Sequence, residues 1–214
     1  MISMGGVRMR DKKIIASIIC ASMFAGMTGC TSAPKETTVQ VEATENTTIA
    51  EETTTAAEVL GGGYLEGYPA FAVTSANLNN GVWDDIISNT NGGENASPEL
   101  SWEPVEGAAL YVIYMVDMNT NGFLHWKSDG VKETSLPQGW APSKEYVGPY
   151  PAPGDTHVYD IYVVALKAPV ERLKGGNNAI NPKMEAFIKE LDIDSDGNSG
   201  NIVAYGRISG KFTT

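Results

Sequence analysis

Few side chains in this chain can hold or polarise a small polar molecule, and the scarcest of them stand beside constrained turns. Only two of its 214 residues are histidine. His157 lies in GPYPAPGDTHVYDIYVV (148–164), where a Pro- and Gly-rich run gives way to Tyr, Ile and Val. His125 lies in GFLHW (122–126), after the turn MNTNG that follows Asp117 at the end of an apolar run. Strand ends bordered by loops are common binding positions, because the sheet fixes the side chain and the loop leaves it reachable. If neighbouring strand ends meet, one carboxylate, two imidazoles and the phenol of Tyr159 converge on one pocket walled by Trp126, Pro149 and Tyr150. Two His and one carboxylate suit a facial metal triad, but their spacing is no recognised metal motif. A hydrolase would need an activated nucleophile, and no G-x-S-x-G elbow is present.

The elements that must carry these groups read as strands. AFAVTSANL, PELSWEP, ALYVIYMVDM, GFLHWKSDGV and THVYDIYVVALKAP are short, aromatic or β-branched, and separated by Gly, Pro, Asn and Asp clusters. Residues 110–116 and 159–166 are apolar at nearly every position, as in central strands covered on both faces. In NPKMEAFIKELDI, Asn181 as N-cap and Pro182 at the first helical position precede Met184, Phe187, Ile188 and Leu191 at helical spacing. An amphipathic helix is expected there, followed by a last strand in NIVAYGRISGKF. The fold class expected is mainly β, an antiparallel β-sandwich with this one helix in the C-terminal region.

Upstream, residues 1–30 have a basic start (Arg8, Arg10, Lys12, Lys13), an apolar segment and the ending MTGC. The apolar segment is shorter than the ~20 residues of a spanning helix and fits a secretory signal. MTGC resembles a bacterial lipobox, with Cys30 as the lipidated residue. Residues 31–60, rich in Thr, Glu and Ala with no aromatic, read as a disordered tether, and 61–214 as the folded domain. Asn46 begins an NTT sequon, a weak signal here. Beyond Cys30 there is no cysteine, so the domain relies on its core rather than on disulfides. Taking the four basic residues and Asp11 of the signal from the chain's 15 basic and 26 acidic residues leaves a balance of −14. That charge disfavours nucleic acid as a partner. DIDSDGN (192–198) begins like a calcium loop, but its twelfth position is Val203 where a bidentate Glu is needed, so it reads as an acidic turn.

GGENASPELSW, the apolar strand ending in Asp117, GFLHW and GPYPAPGDTHVY occur in an order and spacing that resemble the phosphatidylethanolamine-binding protein family, in its bacterial, Raf-kinase-inhibitor-like branch. The resemblance spans about residues 70–212. It implies a β-sandwich with a small pocket for phosphate, a phosphoryl head group or an acetate-like ion. By position it assigns Asp117, His125, His157 and Tyr159 to that pocket, and Gly148 and Pro149 to the loop at its rim. Two motifs depart from the family. Its Asp-Pro-Asp-x-Pro is here DMNTN, with Met118, Asn119 and Asn121 at the altered positions, and its His-Arg-Tyr has Val158 for Arg. Imidazolium and hydroxyl donors still suit an anion, and a nearby carboxylate supports a protonated imidazole while opposing a bare dianion. The expectation is a non-catalytic, lipid-anchored protein of the outer face of the cell membrane, using no cofactor or metal, whose Asp117 orients while both histidines donate to a small anion. Kinase regulation, known among relatives, does not fit an exported protein. A rival reading makes it a surface module that binds glycan or protein, with the pocket purely structural.

Overall fold

A computed structural model describes residues 58–214. The signal, Cys30, Asn46 and nearly all of the tether lie outside the described residues. The strands are β1 (Ala70–Phe71), β2 (Val73–Thr74), β3 (Leu78–Asn79), β4 (Val82–Trp83), β5 (Leu100–Trp102), β6 (Leu110–Asp117), β7 (Phe123–Val131), β8 (Ser135–Leu136), β9 (Thr156–Leu166), β10 (Ala179–Ile180) and β11 (Ile202–Thr213). Among the described residues one α-helix, α1 (Met184–Lys189), precedes β11. The larger sheet runs β10-β7-β6-β9-β11-β4-β3, with β1 also on β11, and β2-β5-β8 form a smaller one. The mainly β expectation therefore holds, but the strictly antiparallel one does not. Both β1 and β4 run parallel to β11, with β4 lying between β11 and the edge strand β3.

Strands β6 and β9 are buried along almost their whole length for the reason their composition implies. Their alternate residues enter two separate cores. Tyr111, Ile113 and Met115 of β6 join Ile161 and Val163 of β9 on one face, where Val73, Leu100, Trp102 and Leu136 of the smaller sheet pack on them. Val112, Tyr114 and Val116 join Tyr162 and Val164 on the other, covered by Leu65, Met184, Ile188 and Leu191. Each such aliphatic side chain contributes about 1.5–3 kcal/mol by leaving water. Gly210 of β11 leaves room for Trp83, whose indole nitrogen lies 2.6 Å from where a Cβ would sit and donates to the Tyr159 carbonyl at 3.4 Å.

The helix is shorter than its periodicity suggests, and its start is different. It spans six residues and passes into a 3-10 turn at Glu190–Asp192. Asn181 is not its N-cap. Its side-chain amide instead donates to the Ala179 and Gly176 carbonyls at 2.7 and 3.0 Å, and its carbonyl accepts from Gly176 N–H at 2.8 Å. The loop thus takes the polar groups that capping would have used. Met184, Ile188 and Leu191 face the core as expected. Among the described residues no helix is long and apolar enough to cross a membrane.

On the helix-bearing face the first described residues lie across β9 and β11. Tyr64 stacks on Tyr162 at 5.6 Å and its N–H donates to the Tyr162 hydroxyl at 3.1 Å. Tyr205 Oη and Arg207 donate to the carbonyls of Gly62 and Gly61. Beneath this strap Arg207 Nε meets the fully buried carboxylate of Asp160 at 2.8 Å.

Candidate functional site

His125 reaches its place through an irregularity in β7. Met115 pairs with Trp126 and Val116 with Leu124, so His125 is an extra residue with no partner on β6. A bulge of this kind turns a side chain that strict alternation would send to the other face. His125 and Trp126 accordingly both point toward the smaller sheet's side, Trp126 into the core and His125 toward the sheet end. The bulged residue is held by Val147, whose N–H donates to the His125 carbonyl at 2.8 Å.

Across β6, Asp117 pairs with Tyr159 and with Phe123, which brings the ends of three strands together. Asp117, His125, His157 and Tyr159 share a cleft of about 180 Å³, as the sequence led one to expect. Nδ1 of His157 lies 2.7 Å from Asp117 Oδ2, with the carboxylate side chain only 4% exposed. Oδ1 of Asp117 accepts from Asn119 N–H at 2.8 Å, so both carboxylate oxygens are engaged. When the His157 ring is protonated, its cation is paired by Asp117 and presents Nε2–H. Asn119 Oδ1 accepts from Val158 N–H at 2.9 Å. Together with Met118 N–H on the Val158 carbonyl, this ties the β6 end to β9 beside His157. Asn119 thus positions the turn through its side-chain amide.

His125 is buried, and its Nδ1 lies 2.8 Å from the Val147 carbonyl. A carbonyl only accepts, so Nδ1 carries the proton and Nε2 is left without a protein partner. Burial pushes the His125 pKa below the usual imidazole value, and the Val147 bond and the Asp117 charge only partly offset it. At neutral pH its Nε2 is therefore an acceptor, and it becomes the expected anion donor only on protonation. Burial, reinforced by Asp117, raises the Tyr159 phenol pKa, which keeps it a hydroxyl donor.

The His125 shift carries a sign that stability measurements can read. The unfolded chain takes up this proton near pH ~6.5 and the folded chain only at lower pH. Stability is expected to fall as pH drops through that window, and the fall should be shallower in His125→Gln. Thermal midpoints between pH 7.5 and 5.5 check this, and equal slopes in both proteins would show that the ring is not held neutral by the fold.

The rim differs from expectation in detail. Gly148 and Pro149 do not line the cleft. Gly148 is pressed against the backbone at Ile87–Asn89, and its N–H donates to Asn95 Oδ1 at 2.6 Å, while the Pro149 carbonyl accepts from Asn89 N–H. Their part is to anchor the loop, and the wall itself is made by Tyr150, Pro151 and Ala152. Trp126 belongs to the core, where it packs edge-on against Tyr146, and its ring takes no part in the wall. Phe123 and Thr120 complete the lining and were not singled out from the sequence. Phe123 follows from strand parity as the partner of Asp117, whereas Thr120 looks like any turn residue. Tyr150 lies edge-on to His125 at 5.7 Å, with its hydroxyl on Asn178 Oδ1.

In the acidic turn, Asp192 accepts from the N–H groups of Gly200 and Ile202, and Asp194 from those of Asp196 and Asn198. Those carboxylates are spent on closing the turn, as its reading as a plain acidic turn requires. Among the described residues no three His, Cys, Asp or Glu side chains are grouped closely enough to hold a metal ion.

No curated protein matches the chain. Among solved structures, a phosphatidylethanolamine-binding protein homologue from Chlamydia trachomatis is 18% identical, covers 66% of this chain and 96% of its own, and superposes with a TM-score of 0.47. Escherichia coli YbcL, described as a member of the mammalian family of these proteins, is 21% identical with 67% and 98% covered and a TM-score of 0.49. The family model for phosphatidylethanolamine-binding protein matches residues 72–202. With a match over more than half its length, the chain belongs to the phosphatidylethanolamine-binding protein family.

Proposed function

We propose that this protein is a non-catalytic binding protein whose cleft takes a small, singly protonated oxyanion such as phosphate or a phosphorylated head group. One observation carries the reading: each histidine is fixed through Nδ1, by the Val147 carbonyl or by Asp117, and neither Nε2 has a protein partner. The hydroxyl of Tyr159 is a donor for an anion oxygen. At neutral pH His125 offers a lone pair to the ligand's own proton, and as pH falls it turns into a second donor. Asp117 opposes a bare dianion. Affinity should therefore rise on acidification.

Its setting belongs to the same proposal. The basic, apolar start and Cys30 support an exported, lipid-anchored member of the bacterial branch on the outer face of the cell membrane, held on a Thr- and Glu-rich tether. The acidic balance speaks against nucleic acid. Three exposed apolar side chains, Met118, Tyr150 and Ile180, favour a second reading as a surface module for glycan or protein.

The test is an NMR titration of the two imidazoles with phosphate, phosphoethanolamine, acetate and chloride at pH 6 and 7.5. Saturable shifts of both rings by one ligand, stronger at pH 6 and lost in His157→Ala, are the expected result. If neither ring responds to any ion, the cleft is structural and the second reading stands.

A further inference from the structure

Strand β11 is paired by β9 along nearly its whole length on one side, but its other side is interrupted. There β1 pairs with Tyr205 and Gly206, and β4 with Lys211. Among the described residues no strand pairs with residues 208–210 on that side. Tyr205 and Lys211 turn their N–H groups toward it, onto the carbonyls of Pro69 and Gly81. Alternation along a strand gives Ser209 the same direction, so its N–H and C=O face the gap. The gap is a notch of about 400 Å³. Val73, Leu78 and Ile208 line it from the side of the smaller sheet, and Glu58 and Leu60 from the first described residues.

We propose that this notch is a strand-acceptor site filled by residues 52–57 of the same chain, which lie immediately upstream of the described residues. The place where the described chain begins points to this occupant. Glu58 and Leu60 both line the notch while Val59 between them is 53% exposed, the two-residue alternation of an extended chain. Beyond them the strap runs against the direction of β11, with the Gly61 carbonyl on Arg207 and the Gly62 carbonyl on Tyr205. The preceding residues therefore arrive from the Lys211 end and would lie antiparallel to β11. Six extended residues reach about 20 Å, and the five steps from Gly206 to Lys211 need about 17 Å, so the segment is long enough. Its Thr53, Thr54 and Thr55 are β-branched, and it contains neither Gly nor Pro. One of these threonines exchanges both backbone hydrogen bonds with Ser209, and their methyl groups meet Leu78 and Ile208. An open edge offers itself to any other chain, and a resident segment closes it.

Amide hydrogen exchange at Ser209, read by NMR on the full chain, tests the site. Adjacent residues of a strand point their N–H groups to opposite sides, so Thr54→Pro/Thr55→Pro removes the paired one whichever it is. In that variant the Ser209 amide should exchange at least about tenfold faster than in the wild type. Thr54→Val/Thr55→Val keeps the backbone donors and the β-branching, and should keep the protection. The wild type should also show contacts from the methyl groups of residues 53–55 to Leu78 or Ile208. Unchanged amide signals from β6 and β9 show that each variant is folded. Equal Ser209 exchange in the wild type and the proline variant, whether slow or fast, overturns the docking, as does the lack of any such methyl contact. Protection that grows with protein concentration assigns the notch to a second copy and overturns the proposal too.

Discussion

Arg207→Met is expected to destabilise the fold by about 3–5 kcal/mol, the size of effect seen when one partner of a buried ion pair is removed. The Asp160 carboxylate is fully buried. Its Oδ2 takes Arg207 Nε at 2.8 Å and the Tyr162 hydroxyl at 3.3 Å, and its Oδ1 has no partner. Without the guanidinium a buried charge would keep one long hydroxyl bond. The strap would also lose its donor to the Gly61 carbonyl. The double variant Asp160→Leu/Arg207→Met removes the charge together with its partner, and should recover most of the loss. Urea unfolding at pH 7 measures both. A loss below about 1 kcal/mol in the single variant would put the pair among ordinary surface bridges.

Gly148→Ala should damage stability and the cleft together. The new Cβ would sit 2.0 Å from the Ile87 carbonyl oxygen and 2.9 Å from Asn89 N, so it meets backbone rather than a side chain that can swing aside. The same carbonyl holds the Tyr146 hydroxyl at 2.8 Å, which stiffens the obstacle. The loop must therefore retreat, at a cost of about 2–3 kcal/mol. Val147 precedes this glycine, and its carbonyl fixes the His125 tautomer. Tyr150–Ala152 follow it and form the wall. His125 ring signals should move before any ligand is added, and phosphate affinity should drop more than about tenfold, as expected when a buried charge-assisted bond is misplaced. Unchanged ring signals with unchanged stability would mean that the segment from Ile87 to Asn89 yields freely.

Much of this was legible in the residue pattern, and what was not has local causes. Unbroken apolar runs mark β6 and β9 as doubly covered, since each alternate residue needs its own core. Asp117, His125, His157 and Tyr159 all stand at loop-bordered ends of strands, so pairing the strands brings them together. The bulge is different: GFLHW contains no Gly or Asn at the irregular residue to announce it, and only the register with β6 reveals it. Asn181 looks like a cap because caps and loop braces use the same amide chemistry, and tertiary position decides between them. The parallel placement of β1 and β4 against β11 depends on contacts far apart in the chain, for which two-residue strands carry almost no periodic signal. Gly148 was assigned to the rim by the resemblance of its loop, not by any property of the residue itself. Its absent side chain makes room for Ile87, not for a ligand.

The strap from Gly61 to Tyr64 and the cleft meet the same strand from opposite sides. Tyr162 directly, and Asp160 through Arg207, hold the strap on one face of β9, while His157 and Tyr159 open to the cleft on the other. One strand thus serves two surfaces, with the strap packed on its back and the cleft opening at its front.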